Sequence, residues 1–205
     1  MPEKDRNLDH YFSVRPKSEM KLGLIHTYLN GKSFRFLTAS GVFSRKRVDL
    51  GTALLIESMV LPEEGYVLDV GCGYGAVGIA AAASNSELHV VMVDANRRAA
   101  WLAKQNIEIN GVDNAEVRKG HLYKPVKDLT FNCILSNPPV SAGMETVRAI
   151  IAEAPEHMAK KASFQIVVRS KIGGKRLRLI LEGAFRNTKI LSRKGGYRVF
   201  ISEKE

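Results

Sequence analysis

A short apolar run that ends in glycines contains the first residues of this sequence that could bind a ligand. Residues 66–70 have the length and β-branched content of a buried strand, and residues 76–84 are nearly all small and apolar, which suits a helix packed on a sheet. Between them, Gly71, Gly73 and Gly75 let the backbone take positive φ and approach a ligand closely. Free N–H groups at the start of the helix would face the same ligand. The pattern predicts a strand, a tight loop and a helix N-terminus that bind a small molecule.

Two classes of ligand fit this loop. The spacing Gly71-x-Gly73-x-x-Ala76 satisfies the dinucleotide fingerprint, and Asp94, at the end of the next predicted strand, stands where a ribose-binding acid belongs. Asp69 lies two residues before the first glycine, where a carboxylate would repel a pyrophosphate but attract the ammonium group of S-adenosylmethionine. Asp69 therefore favours the sulfonium cofactor. The alternative for this residue is a local role in which it caps the loop backbone.

A second group of chemically useful residues follows a later apolar run. Residues 131–136 form a predicted buried strand that leads into Asn137-Pro138-Pro139. The Asn137 side-chain oxygen and the Pro138 carbonyl can each accept an N–H from an amine, and the two prolines stiffen the loop so that both acceptors point inward. Such acceptors would hold a weakly nucleophilic amine in line with a methyl donor and return electron density to its nitrogen. A purely structural turn is the alternative, because Asn-Pro often begins turns.

Together, the two motifs resemble those of the class I, Rossmann-like methyltransferases, in which Asn-Pro-Pro is the signature of members that modify amino or amide nitrogens. The wider pattern is similar to the RsmC-type "methyltransferase small" family, in its single-domain form of archaeal type. Four further segments carry this resemblance, which covers nearly the whole chain: residues 10–13, 40–44, 49–52 and 194–199.

The resemblance implies the cofactor S-adenosyl-L-methionine and a set of residues that would bind it or act beside it. The implied catalytic residues are Asn137, Pro138 and Pro139. The implied cofactor-binding residues are Thr52, Asp69, Gly71, Cys72, Gly73, Gly75, Asp94, Ala95, His121, Leu122 and Asn137. The predicted substrate-binding residues are Phe43, Val140 and Tyr197, together with the basic residues Arg45, Arg47, Lys171 and Arg198, which are assigned from the distribution of charge and not from the resemblance.

Two positions depart from the family pattern. An aromatic residue that stacks on the target base often follows Asn-Pro-Pro, but here Val140 follows, so that Phe43 or Tyr197 would stack instead. The acid that often follows the third strand to bind the adenine amine is replaced by His121. A neutral imidazole nitrogen can accept the same hydrogen bond, although a lone histidine is also a common loop residue.

The composition favours a polyanionic partner. The 205-residue chain has a formal net charge of +10, and basic residues concentrate in Arg45-Lys46-Arg47 and from Lys160 onward. A solvated basic surface is one explanation, but RNA is the expected partner once the two motifs are considered. No stretch has the length of a membrane span and residues 1–6 lack the apolar core of a signal peptide, so we expect a cytoplasmic protein with no membrane partner.

The two cysteines, Cys72 and Cys133, both lie inside the predicted core motifs. They are not spaced as metal ligands, and free cysteines are commonly buried as small hydrophobic residues. We therefore expect no metal site. The sequence leaves the oligomeric state open.

The order of the elements predicts an α/β, Rossmann-like class I methyltransferase fold, with a mostly parallel twisted sheet, helices on both faces and a C-terminal antiparallel hairpin. One domain is expected, in which an N-terminal arm and small hairpin (residues 1–47) precede the catalytic core (residues 48–205). Strands are predicted at 66–70, 89–93, 115–119, 131–136 and 163–169, and helices at about 76–84, 96–110 and 144–160, the last interrupted at Pro155.

Two hairpins complete this prediction. The alternating residues 33–38 are expected to pair with residues 41–44 across a Ser-Gly turn, and a helix over residues 49–60 would follow them. Near the C-terminus, residues 189–191 and 197–201 flank a Gly-Gly turn and predict a second hairpin. A dinucleotide-binding sheet would continue with parallel strands, so this hairpin favours the methyltransferase.

The sequence therefore predicts an S-adenosylmethionine-dependent methyltransferase acting on a guanine in ribosomal or transfer RNA, with the exocyclic N2 as the favoured atom. Methylation at guanine N7 and protein glutamine N5-methylation are the alternatives within the methyltransferases. A nicotinamide oxidoreductase and a cofactor-binding scaffold without catalysis are the other classes considered. Asp69 together with Asn137-Pro138-Pro139 disfavours the oxidoreductase, and retention of the whole acceptor motif disfavours the scaffold.

Overall fold

The computed structural model describes residues 19–138, 143–170 and 174–205. Its first elements are two antiparallel strands, β1 (Leu22–Leu29) and β2 (Lys32–Ala39), which form a separate two-stranded sheet. The turn between them is Asn30-Gly31, and both residues have positive φ, as the tight hairpin turn requires. Residues 41–44 lie in turns, so the predicted pairing of 33–38 with 41–44 is wrong. The Asn-Gly signal at residues 30–31 is the stronger hairpin signal.

Within the described residues, a seven-stranded sheet forms the centre of the molecule. Its strands in chain order are β3 (Gly65–Val70), β4 (Leu88–Asp94), β5 (Ala115–Lys119), β6 (Phe131–Ser136), β7 (Met158–Arg169), β8 (Lys189–Lys194) and β9 (Tyr197–Glu203). Their spatial order is β5-β4-β3-β6-β7-β9-β8. The pairs from β5 to β7 are parallel, whereas β9 is antiparallel to both β7 and β8. This topology confirms the predicted Rossmann-like fold and its C-terminal hairpin.

Helices cover both faces of this sheet. They are α1 (Leu50–Ser58), α2 (Ala76–Ser84), α3 (Arg97–Ile109), α4 (Met144–Glu153) and α5 (Gly174–Phe185). Alternate residues of β3 enter two separate apolar clusters: Val67 packs with α1, α2, α3 and the first hairpin, whereas Leu68 packs with α4 and α5. None of the described helices is both long enough and apolar enough to cross a bilayer.

The predicted helix over residues 144–160 is too long. The α-helix ends at Glu153, a 3-10 turn covers residues 154–157, and β7 begins at Met158. Pro155 lacks a backbone N–H and cannot continue the helical hydrogen bonding, which accounts for the early end. Residues 158–160, at the end of the predicted range, belong to the strand.

Two asparagine side chains, one in α3 and one just after its last residue, join the first hairpin to the rest of the molecule. Asn106 is buried; its Oδ1 accepts from the N–H of Leu37 (2.7 Å), and its Nδ2 donates to the carbonyls of Leu37 (3.0 Å) and Tyr74 (2.8 Å). One turn later, Asn110 accepts from the N–H of Arg35 (3.0 Å) and donates to its carbonyl (2.8 Å). These side chains pair with β2 and satisfy polar groups at its edge. Asn106 also links the hairpin to the glycine loop, through Tyr74.

The asparagine contacts predict unequal losses of stability. Asn106→Ala should reduce the free energy of unfolding by about 2–4 kcal/mol, because it leaves buried backbone groups of Leu37 and Tyr74 unpaired. Asn110→Ala is the matched control and should cost about 1 kcal/mol, since water can replace its more exposed contacts. Urea unfolding of both variants measures the difference. Equal losses would show that burial of the Asn106 contacts is not what stabilises the hairpin.

Candidate active site

A cavity of about 240 Å³ lies at the carboxyl ends of the central parallel strands. Residues that follow β3, β4 and β6 meet there because parallel pairing brings the same ends of these strands to one edge. Ten of the predicted cofactor-binding residues line this cavity: Thr52, Asp69, Gly71, Cys72, Gly73, Asp94, Ala95, His121, Leu122 and Asn137. The helix α1, the sheet and the loops after β3, β4, β5 and β6 therefore all contribute to one site.

The glycines of the loop have different surroundings. At Gly73, with φ of 59°, an added Cβ would meet no atom within 4 Å, and the residue lines the cavity. At Gly75, with φ of 94°, an added Cβ would lie 3.1 Å from Ile79 and 3.2 Å from Ala103. Gly73 thus leaves space at the cavity, whereas Gly75 lets the loop pack against α2 and α3. Gly75 is the predicted cofactor-binding residue that does not line the cavity.

The Asp94 carboxylate holds the glycine loop in place. Its Oδ2 accepts from the N–H of Gly73 (2.8 Å), and its Oδ1 accepts from the N–H of Asn96 (2.8 Å) at the start of α3. Burial raises the pKa of Asp94 to about 6, although both backbone hydrogen bonds favour the ionised form. One side chain therefore fixes the loop after β3 and the entry to α3.

The Asp69 carboxylate lies deeper, at 1% exposure, and also lines the cavity. Its Oδ2 accepts from the N–H of Gly78 (3.0 Å) in the first turn of α2. Burial raises its pKa from 3.8 to about 7, and the nearby charge of Asp94 adds to this increase. The bond to α2 is the local capping role considered above. Since the residue also faces the cavity, a ligand-binding role is compatible with the same geometry.

The Asn137 amide lies between α1 and the cavity. Its Nδ2 donates to Oγ1 of Thr52 (2.8 Å), and both residues line the cavity. The preceding residue, Ser136, donates from Oγ to the carbonyl of Val70 (2.8 Å), which joins the ends of β6 and β3. Pro138 is buried, and Pro139 lies outside the described residues. The amide nitrogen is thus engaged by Thr52, and the opposite end of the amide is its acceptor oxygen.

The predicted substrate-binding residues divide into several groups. Phe43 lines the cavity, and Arg45 and Arg47 are exposed in the same segment.

Tyr197 lies outside the cavity lining. Its hydroxyl donates to Asp49 Oδ1 (3.1 Å), and the Arg169 guanidinium lies 5.6 Å from its ring centroid. These contacts do not fit the stacking role predicted for Tyr197, and Phe43 is the stacking candidate at the cavity. Arg198 is half-buried in β9, while Val140 and Lys171 lie outside the described residues.

Sequence reasoning missed several residues of the site. Val42, Tyr74, Thr146 and Ile150 line the cavity without having been predicted. Val42 lies beside Phe43, and Tyr74 lies within the glycine motif, so both were within reach of a motif-based prediction. Thr146 and Ile150 enter from α4, a helix whose sequence carries no ligand motif. Only the tertiary packing of α4 on the sheet brings them there.

The segment that carries Phe43 is attached to the start of α3. Asn96 caps that helix through Oδ1 and donates from Nδ2 to the carbonyl of Gly41 (3.0 Å). The Arg98 guanidinium donates to the carbonyl of Ser40. Two residues of α3 therefore position the cavity wall formed by residues 42–43. No cluster of three metal-ligating side chains occurs among the residues that the structure describes.

Comparison with known sequences gives the following findings. The family model described as "Methyltransferase small domain" matches residues 33–201. The uncharacterised protein YbxB of Bacillus subtilis is 37% identical over 198 residues, which cover 96% of this chain and 98% of that protein. The ribosomal RNA small subunit methyltransferase C of Aeromonas hydrophila is 34% identical over 171 residues, or 82% of this chain and 48% of that enzyme. The chain thus spans about half the length of such methyltransferases.

Solved structures share the fold. The T. thermophilus 16S rRNA N2 methyltransferase RsmC, in complex with AdoMet and guanosine, has a TM-score of 0.80 at 24% identity, covering 93% of this chain and 52% of that chain. A ribosomal protein methylase of Lactobacillus delbrueckii has a TM-score of 0.62, also at 24% identity, covering 78% of this chain and 85% of that chain. Since enzymes acting on RNA and on protein share this fold, the fold alone does not select the substrate.

The buried charge of Asp69 predicts a pH-dependent gain of stability on its removal. The raised pKa means that the folded protein binds this proton more tightly than the unfolded chain, so wild-type stability decreases as pH rises from about 4 to about 7. Asp69→Asn keeps an oxygen for the Gly78 N–H and carries no charge. The ligand-free variant should therefore melt about 3–8 °C higher than wild type at pH 8, with a smaller difference at pH 5.

The exposed residue Asp113 supplies the control, because Asp113→Asn removes the same charge from the surface. Its melting temperature should follow that of wild type at both pH values. Thermal scans at pH 5 and pH 8 measure all three proteins. A lower melting temperature for Asp69→Asn at pH 8 would show that the protein compensates the buried charge.

Proposed function

Because the chain belongs to the methyltransferase small domain family, we propose that it is an S-adenosylmethionine-dependent methyltransferase that modifies the exocyclic N2 of a guanine in RNA. One observation carries this proposal: Asp69, Gly73, Asp94 and Asn137 converge on a single cavity. The first three suit a nucleoside that carries an ammonium group, and the last suits an amine acceptor. The relatives named as ribosomal RNA methyltransferases support RNA as the substrate class.

The cavity has features that fit the proposed cofactor. A side chain at position 73 would project into open space at the cavity. Because residue 73 is glycine, its backbone can approach a ligand closely. We assign the amino-acid end of S-adenosylmethionine to Asp69, where an ammonium would find a buried carboxylate, and the ribose end to Asp94. Ala95, His121 and Leu122 would contact the adenine. The bound cofactor would supply an electrophilic methyl group on sulfur.

The acceptor loop would orient the amine that receives this methyl group. Asn137 Nδ2 donates a hydrogen bond to Thr52, so Asn137 Oδ1 is the atom able to accept an N–H from the target amine. The Pro138 carbonyl is the proposed second acceptor. With the amine held by Asn137 and Pro138, the cofactor would supply the methyl group to the nitrogen and its sulfur would keep the electron pair of the carbon–sulfur bond. The amine proton, which becomes acidic once the nitrogen is methylated, then leaves to solvent, so no strong base is required.

The proposed RNA contact uses exposed basic residues near the cavity. Arg45 and Arg47 follow Phe43, a residue of the cavity wall, and would bind phosphates while the base enters the site. A base within a duplex would have to flip out to reach the cavity.

Two alternatives to this proposal remain to be tested. Guanine N7 is the alternative atom, and a protein glutamine is the alternative substrate, because its side-chain amide fits the same acceptors.

The cofactor assignment predicts selective binding. Isothermal titration should detect binding of S-adenosylmethionine and of its demethylated product, and no binding of NAD or NADP. Asp94→Ala should weaken this binding by about 1–3 kcal/mol, the range for loss of a charged hydrogen-bond acceptor. Tighter binding of a nicotinamide cofactor than of S-adenosylmethionine would overturn the assignment. Unaltered binding by Asp94→Ala would remove that residue from the cofactor site.

The acceptor role predicts a selective loss of turnover. Asn137→Ala should lower kcat by roughly two orders of magnitude with nearly unchanged cofactor affinity, because it removes the oxygen that orients the amine. Asn137→Asp keeps an oxygen there and should retain more activity than the alanine variant. Single-turnover methylation measures both variants. Near-normal turnover of Asn137→Ala would contradict the proposed mechanism.

The RNA contact predicts a salt-dependent interaction. Affinity should fall log-linearly with salt concentration, and the double variant Arg45→Glu/Arg47→Glu should reduce that slope by roughly 1–2, as loss of one or two phosphate contacts requires. Lys160→Glu/Lys189→Glu makes the same change of charge at exposed positions near the starts of β7 and β8 and serves as the control. Filter binding across a salt series gives the slopes. Equal effects of the two double variants would place the RNA elsewhere.

Nucleoside digestion of the methylated RNA identifies the atom that is modified. The proposal predicts N2-methylguanosine as the product. Detection of 7-methylguanosine would instead show that the ring nitrogen N7 is the methylated atom. Methylated protein with unmodified RNA would support the glutamine alternative.

A further inference from the structure

We propose that Thr52 is a positioning residue that sets the orientation of the Asn137 amide, and that Tyr197 and Asp49 hold Thr52 in place. This proposal rests on the function proposed above and extends it to residues outside the acceptor loop. An amide has a donor end and an acceptor end of nearly equal size, and the wrong orientation would present N–H groups to a target amine. The site therefore needs a contact that holds the amide with its acceptor end toward the target amine.

The Thr52 hydroxyl, which can accept or donate, accepts in this structure and so contacts the donor end of the amide. Its Oγ1 accepts from Asn137 Nδ2 at 2.8 Å, and Thr52 is 93% buried, with a relative exposure of 7%. A bond in this direction directs the acceptor oxygen of Asn137 away from α1. Loss of the hydroxyl would let the amide rotate or invert, and both changes reduce the fraction of protein able to orient an amine.

The backbone around Thr52 is itself fixed by Asp49. This residue caps α1: its Oδ2 accepts from the N–H of Gly51 (2.8 Å) and from that of Thr52 (3.3 Å). The other carboxylate oxygen, Oδ1, accepts from the hydroxyl of Tyr197 at 3.1 Å. A chain of hydrogen bonds thus extends from the C-terminal hairpin, through the helix cap, to the acceptor loop.

Close packing supports the same arrangement. An added Cβ on Gly51 would lie 2.7 Å from the Tyr197 ring, and one on Gly195 would lie 2.3 Å from a side-chain carbon of Leu50. Both glycines are needed for the hairpin to approach the start of α1 this closely. Lys194 also contacts Glu57 (3.2 Å) across the same boundary. The hairpin therefore fixes α1 through backbone proximity as well as through the Tyr197 hydroxyl.

The test compares Thr52→Val, which removes the hydroxyl and keeps the shape, with Thr52→Ser, which keeps the hydroxyl. We expect kcat to fall about 10- to 100-fold for Thr52→Val and to recover for Thr52→Ser, with cofactor affinity changed by less than about threefold in both. In an Asn137→Ala background, Thr52→Val should lower kcat little further, because the amide that Thr52 holds is already absent. Additive losses, or a loss of cofactor affinity with kcat unchanged, would overturn the proposal.

Two controls complete the design. Thr188→Val removes a half-buried hydroxyl that contacts Ser202 at the far end of the sheet, and it should leave activity unchanged. Tyr197→Phe keeps the ring and removes only the donor to Asp49, so kcat should fall several-fold with RNA affinity unchanged. Wild-type turnover in the Tyr197→Phe variant would remove Tyr197 from the chain of contacts.

A spectroscopic readout separates this proposal from the proposed function. The side-chain amide signals of Asn137, assigned by their absence in Asn137→Ala, should shift in Thr52→Val and remain in place in Thr52→Ser. This result is expected whether or not the wild-type protein methylates RNA. Unmoved amide signals in Thr52→Val would refute the positioning role, whereas absence of wild-type methyl transfer with shifted signals would refute only the function.

Discussion

Parallel pairing of β3 with β4 and β6 is the constraint on which the site depends. The register brings Asp69 level with Met92 and Leu135, so all three strands end at one edge of the sheet. The glycine loop and Asn137 follow the ends of β3 and β6, and Asp94 is the last residue of β4. Residues far apart in sequence therefore meet at one edge of the sheet, in the last residues of the strands and in the loops that follow them.

The same edge concentrates buried charge. Asp69 and Asp94 both lie in surroundings that raise their pKa values, and each is partly compensated by backbone N–H groups of the glycine loop or of the helices behind it. A ligand bearing an ammonium group and hydroxyls would supply what the folded chain lacks. Burial of these two carboxylates thus lowers the stability of the ligand-free protein, and a bound ligand would offset that loss. Such local destabilisation is common at functional sites.

The sequence predicted the parts of the molecule in which local patterns are strong. The bounds of α2, β5 and β6, the glycine loop and the C-terminal hairpin all follow from apolar runs and turn residues. It failed for the first hairpin, where the Asn-Gly turn was overlooked. It also extended α4 to residue 160, although the predicted interruption at Pro155 is close to the true end of the helix and residues 158–160 belong to β7. Tyr197 was one of two predicted stacking candidates, with Phe43; its contact with Asp49 was not predicted, because it spans 148 residues and leaves no local signal in the sequence. Thr146 was missed for the same reason.

The direction of β9 explains why the end of the chain contacts the start of α1. Because β9 is antiparallel to β7, its first residue, Tyr197, pairs with Arg169 at the carboxyl end of β7. The Gly195-Gly196 turn therefore lies at the same edge as the cavity, next to α1. A parallel strand in this position would begin at the opposite edge and would bring no turn here. Antiparallel closure of the sheet thus supplies a support for Thr52 that a wholly parallel sheet would lack.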